Sequence, residues 1–259
     1  LSFKNCNMLH IINHQLLGDS LMATPALKKL TELGVDYSVY FLDEPIMEIY
    51  RNCYWMKNKH WGTMPEPKEG DRVVKLESGM ALNHALSTGQ HYAYGFAAQL
   101  GVSIDSPVPD IGFEGWENKE IGFTLDPILI FPESTSCSSK SGKKANKMLP
   151  WETWVEFQDK IGQKCVFITP KMIENAPKEL KILSDFSIEN VAQMLKKASK
   201  VITVDNGIGH LSSAVGANCY LIGGCVPIPW IWAGDMAKTL NCYGNPELVR
   251  ANNIIDLIR

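Results

Sequence analysis

KVITVDNGIGHLSSAV, residues 200–215, changes from one kind of secondary structure to another within three residues. Lys200–Val204 is short, apolar and β-branched, and reads as a strand. Asp205-Asn206-Gly207 breaks it, and Ile208–Val215 reads as a helix of small and apolar residues. Such a helix packs close to a sheet and can present free N–H groups to an anion. A strand feeding at once into a helix is half of a parallel β-α-β unit.

The same rhythm recurs on both sides. Upstream, Pro127–Pro132, Lys164–Thr169 and Lys200–Val204 are strands. The helices between them are Pro150–Ile161 and Glu189–Ala198, the second introduced by Ser187 as N-cap. Cys219–Ile222 is a further strand. The first half has its own series: Met8–Asn13, a helix over 20–33, a strand over 35–42, a helix opened by Pro45, a strand at Arg72–Leu76 and a helix over Ala81–Leu100. Residues 51–70 read as irregular. Pro107–Asp126, rich in Gly, Pro and charge, is the candidate linker. The preferred reading is α/β with two Rossmann-like domains, residues 1–120 and 121–259. One continuous doubly wound sheet is the competitor. In either case ligands belong beyond the carboxyl ends of the strands. That rule selects the loops 15–20, 132–149, 169–174, 205–210 and 223–230.

Composition narrows the function classes. The chain has 259 residues, 45% hydrophobic and 20% charged, as in folded globular proteins rather than disordered ones. A formal net charge of −3 gives no clear nucleic-acid surface. No apolar run approaches the roughly 20 residues that span a bilayer, and the N-terminus has no signal-peptide pattern. Seven scattered cysteines without a C-x-x-C spacing read as reduced thiols of a cytoplasmic protein. His10 and His14 do not make a metal site, and none is expected elsewhere.

Each selected loop carries two readings. Gly18 allows a tight turn from strand to helix, and Asp19 is either a helix N-cap or a base facing a cleft. A helix N-terminus lowers a carboxyl pKa, whereas a dry cleft raises it. Between Ser134 and Leu149 there are four Lys and no acid. That loop, with Ser134, Thr135 and Lys147, is either a solvated basic segment or a phosphate clamp. It lacks the P-loop spacing. Gly207 and Gly209 would let a phosphate approach the backbone, and His210 is either a core histidine or a phosphate donor. Trp230 and Trp232 are packing anchors or sugar platforms.

Four segments in order resemble the heptosyltransferase family, glycosyltransferase family 9. Gly18-Asp19 with Thr24-Pro25-Ala26-Leu27 is similar to its G-D-x-x-x-x-T-P-A-L. Lys147-x-x-Pro150 with Trp154 is similar to K-x-W-P…W, with Leu149 in place of Trp. Asp205-Asn206-Gly207-Ile208-Gly209-His210-Leu211 is similar to D-(S/T)-G-x-x-H-L, with Asn206 in place of Ser or Thr. Leu221-Ile222-Gly223 with Pro227 is similar to (L/F)-x-G-x-T-x-P.

The resemblance implies a GT-B fold: two parallel-sheet domains facing a central cleft, the first for the acceptor and the second for the nucleotide sugar. It implies inverting, metal-independent glycosyl transfer, with a nucleotide-diphospho-sugar as donor substrate and no cofactor. Asp19 would be the general base. Lys147 would neutralise donor phosphates, Asp205 would bind a sugar hydroxyl, and Gly207, Ile208 and His210 would cradle the diphosphate. Gly18, Ser134, Thr135, Asn206, Gly209 and Gly223 complete the expected donor site. The implied partner is a glycan or glycolipid acceptor, with peripheral association at the inner face of a membrane through that acceptor. The chain is shorter than typical members, in its acceptor half. The alternatives are transfer to a different acceptor, such as a modified nucleobase in viral DNA, a non-catalytic nucleotide-sugar-binding protein, or a sugar-nucleotide epimerase.

Overall fold

The structure, a computed structural model, describes residues 7–116, 127–134, 137–138, 144–145, 147–174, 176–223, 226–243 and 245–259. The chain divides into two compact units, Leu1–Asn118 and Lys119–Arg259. Part of the Pro107–Asp126 segment, residues 117–126, lies outside the described residues.

The first unit holds β1 (Leu9–Asn13), β2 (Tyr37–Phe41), β3 (Lys59–Trp61) and β4 (Arg72–Lys75). They form one parallel sheet in the order β3-β2-β1-β4. Leu9, Ile11, Val39 and Phe41 are fully buried in it. The helices are α1 (Leu17–Met22), α2 (Thr24–Glu32), α3 (Glu44–Ile49), α4 (Ser78–Thr88) and α5 (Tyr92–Leu100).

Two of the helices expected from sequence are each a pair. The stretch after β1 breaks at Ala23 because Pro25 has no N–H to return to the Leu21 carbonyl. The Thr24 hydroxyl takes that carbonyl instead, at 2.7 Å. The stretch over 81–100 breaks at Gly89, which caps α4 with φ 72°, and restarts at His91, whose Nδ1 accepts from the Ala93 amide. The two helices then pack closely: a Cβ on Gly95 would lie 2.6 Å from the Ala81 Cα. Residues 51–70, read as irregular, contain the edge strand β3.

The second unit holds β5 (Ile128–Phe131), the antiparallel pair β6 (Cys137–Ser138) and β7 (Lys144–Ala145), then β8 (Cys165–Ile168), β9 (Ile182–Leu183), β10 (Lys200–Val204), β11 (Cys219–Gly223) and β12 (Thr239–Asn241). Six of them form a parallel sheet in the order β12-β11-β10-β5-β8-β9. The helices are α6 (Trp151–Ile161), α7 (Ile188–Lys197), α8 (Gly207–Val215), α9 (Ile228–Ile231) and α10 (Ala251–Ile258). Trp154 is fully buried, edge-on to Phe157 and Phe167. Leu149 is buried in the same core, so an apolar side chain occupies that position although it is not Trp.

The parallel strands of the two units therefore form two separate sheets, not one continuous sheet. Strand order also marks a place in each. In the second sheet the chain starts at β5, runs outward through β8 and β9, then returns to the other side of β5 with β10. The switch point lies between β5 and β10, where ligands collect in doubly wound folds. In the first sheet it lies between β1 and β4. No helix among the described residues is long and apolar enough to cross a membrane.

Candidate functional site

The loops after β5 and β10 meet at the second unit's switch point. The Ser134 hydroxyl donates to the Asp205 carbonyl at 2.6 Å, and Asn206 Nδ2 donates to the Glu133 carbonyl at 2.7 Å. Asn206 caps α8. Its Oδ1 accepts from the Ile208 amide at 2.9 Å and the Gly209 amide at 3.4 Å, and the Thr203 hydroxyl lies 2.9 Å away. Its side chain is thus engaged by protein groups, and it sets the direction of the helix. Asn206→Ala should cost about 1–2 kcal/mol of stability through loss of the cap, read as a shifted urea midpoint; an unchanged midpoint would contradict this role.

Lys147 Nζ lies 2.8 Å from Asp205 Oδ2, with both side chains largely buried. His210, one turn into α8, is buried, and its Nδ1 has no hydrogen-bond partner among the described residues. Burial, helped by the Lys147 charge, pushes its pKa down to about 4. At neutral pH it is an uncharged imidazole, so among the described residues the positive charge here is that of Lys147. Burial also raises the Glu133 carboxyl, a half-buried acid that sequence reasoning passed over.

Gly223 ends β11 beside Asp205, where a Cβ would come within 3.5 Å of the Asp205 Cβ. Trp232 is buried under the first turn of α8, 3.3 Å from the Cβ position of Gly209, and is a packing anchor. Thr135 lies outside the described residues. The structure thus brings Ser134, Lys147, Asp205, Asn206, Gly207, Ile208, Gly209, His210 and Gly223 to one edge of one sheet.

Asp19 belongs to the other unit, after β1 and so at that sheet's switch point. It is the third residue of α1, half-buried, and the N-cap position is Leu16. The capping reading is corrected accordingly: α1 starts two residues before Asp19, because residues from Leu17 onward already turn helically. Gly18 is likewise inside the helix and without positive φ, so it does not make the expected tight turn. Gln15 makes the connection instead. Its Nε2 donates to the Leu76 carbonyl at 2.6 Å and its Oε1 accepts from the Ser78 hydroxyl at 2.7 Å, tying the loop after β1 to the loop after β4. Ser20, next to Asp19, is fully buried between Asn13 Nδ2 and the Tyr50 hydroxyl, each at 3.0 Å.

Among the described residues no group of three or more His, Cys, Asp or Glu gathers to hold a metal. His10 instead bonds the Tyr40 hydroxyl and Asp71. Among the described residues Cys53, Cys165, Cys219 and Cys242 form no disulfide.

Two parallel sheets, each with candidate site residues at its switch point, are the elements of the GT-B-like fold that the sequence motifs imply. Similar solved structures include heptosyltransferases and other glycosyltransferases. E. coli heptosyltransferase WaaC with ADP superposes with a TM-score of 0.68 over 97% of this chain and 98% of that chain, at 16% identity. The iron-containing dodecameric glycosyltransferase TibC from enterotoxigenic E. coli gives 0.67 over 100% and 76%, at 14% identity. The glycosyl transferase family 9 protein from Veillonella parvula gives 0.61 over 98% and 97%, at 14% identity. No protein-family model and no curated protein matches the chain. At these identities the likeness establishes the fold, and it is the fold of the proteins that the sequence motifs resemble.

Proposed function

We propose that the chain is an inverting, metal-independent glycosyltransferase. It would move a sugar, heptose first among the candidates, from a nucleotide-diphospho-sugar to the hydroxyl of a glycan or glycolipid in lipopolysaccharide or related synthesis. The observation that carries this reading is the buried Lys147–Asp205 pair at the switch point, beside the N-terminus of α8. Inverting displacement needs positive charge where the diphosphate leaves and a base where the acceptor hydroxyl attacks. Lys147 and the positive end of the α8 dipole supply the first, although the Ile208 and Gly209 amides themselves are taken by Asn206 Oδ1. His210 adds an imidazole N–H donor, with Thr135 expected beside it, while the Ser134 hydroxyl holds the Asp205 carbonyl. Asp205, next to the phosphate site, accepts from a sugar hydroxyl, and Gly223 leaves that approach open. Asp19, on the other unit, takes the proton. Work at the cytoplasmic face of a membrane, through the acceptor, follows from a glycolipid substrate.

WaaC is described with ADP and with ADP-2-deoxy-2-fluoro heptose, so ADP-heptose is the first donor to try. A thermal-shift panel of nucleotide sugars should identify the donor, because a ligand of the folded state raises Tm by mass action. Release of nucleoside diphosphate with acceptor present then establishes transfer. Binding without turnover across glycan, glycolipid and nucleic-acid acceptors would instead make this a binding protein, and no binding by any nucleotide sugar would end the proposal. TibC is described as iron-containing, so metal independence has its own test. The rate should be unchanged after chelation with EDTA into metal-free buffer. A loss restored by one added cation would overturn that part.

A further inference from the structure

The two residues assigned to the donor's phosphates and to its sugar are paired with each other. Lys147 Nζ sits 2.8 Å from Asp205 Oδ2, and the two side chains are only 13% and 8% exposed. Each charge is the other's compensation in a place with little water. The Asp205 backbone is held as well: its amide donates to the Ile222 carbonyl at 2.9 Å and its carbonyl accepts from Ser134. Asp205 therefore stays in place while the Lys147 side chain, the longer and more flexible partner, is the one that can turn.

We propose that the Lys147–Asp205 pair is a specificity device that favours the intact nucleotide sugar over the nucleoside diphosphate left after transfer. This rests on the donor-site reading above. A diphosphate draws Lys147 away from Asp205 and leaves a buried carboxylate without its cation. An intact donor fills both vacancies, because its phosphate takes Lys147 and its sugar hydroxyls donate to Asp205. The diphosphate product takes Lys147 alone. Binding it costs the pair and returns nothing to Asp205, so the product is held less tightly and leaves. His210 does not substitute for the lost cation, since it is uncharged beside Lys147.

The device predicts opposite signs for one substitution. Asp205→Asn removes the buried carboxylate and with it the ion pair to Lys147. The free protein should melt at lower temperature. The nucleoside diphosphate should bind about tenfold more tightly than to the wild type, the scale of a broken charge pair of this kind. The sugar-bearing donor should gain no such advantage, and transfer should slow. A merely structural role for the pair would weaken both ligands together.

Calorimetric titration with ADP and with ADP-heptose, or with the corresponding pair for the donor found in the panel, measures this directly. In the wild type the donor, without acceptor, should bind at least about tenfold more tightly than its diphosphate. In Asp205→Asn the two affinities should converge. Equal wild-type affinities, or a diphosphate affinity unchanged or weakened in a folded variant, would overturn the proposal. The wild-type comparison decides the matter even if the variant does not fold. If no nucleotide sugar or diphosphate binds at all, the donor-site reading itself fails, and the device with it.

Discussion

Asp19→Ala is expected to lower kcat by about a thousandfold, within the range that a positioned general base supplies, with donor affinity nearly unchanged. The separation follows from placement. Asp19 is on the first unit, at the switch point between β1 and β4, whereas the donor residues other than Gly18 are on the second. Loss of its carboxylate also removes an acid from the first turn of α1, worth about 0.3–1 kcal/mol, too little to unfold the unit. Asp19→Asn keeps the shape and loses the basicity, so it should be as inactive as the Ala variant. The measurement is diphosphate release at saturating acceptor, with donor binding titrated separately. Activity of either variant within tenfold of the wild type would remove Asp19 as the base. Equal losses in donor affinity and turnover would mean that the substitution disturbs folding instead.

How much of this was legible beforehand depended on whether a feature is local. The strand Lys200–Val204 and the Ser187 cap lie where the residues alone put them, because β-branched runs and capping serines act within a few residues. The breaks at Ala23 and Gly89 had local signals, Pro25 and Gly89 themselves, outweighed by the apolar stripe on either side. Helix α10 carried a complete one: Ala251, Ile254, Ile255 and Ile258 follow the i, i+3, i+4, i+7 spacing and all are buried. The edge strands β3, β9 and β12 are two or three residues long, too short for a period to register. Strand order was not legible, since nothing local says that β10 returns to β5. The site inherited that limit. The motifs marked Lys147 and Asp205 separately, but their ion pair joins residues 58 positions apart, and only the sheet brings them together.

That pair makes Lys147→Ala the second large effect, and two consequences have to be separated. The carboxylate of Asp205 would be left buried without its cation, and removing one partner of a buried pair typically costs about 3–5 kcal/mol of stability. The same substitution removes the charge that meets the diphosphate. A charge-assisted hydrogen bond of about 1.5–3 kcal/mol corresponds to donor binding about tenfold to a hundredfold weaker. A lower Tm alone would mimic weak binding by reducing the folded fraction, so the Ala variant by itself is ambiguous. The double variant Lys147→Met with Asp205→Asn resolves it. It fills the volume of the lysine stem, leaves no unpaired charge, and should regain most of the lost stability. It should not regain donor affinity, because no cation faces the phosphates. Denaturant midpoints and donor titrations on the three proteins give the answer. Recovery of both properties in the double variant would mean that Lys147 only holds Asp205 in place. Unchanged donor affinity in Lys147→Ala would remove the phosphate clamp altogether, leaving the positive end of α8 as the donor's anchor.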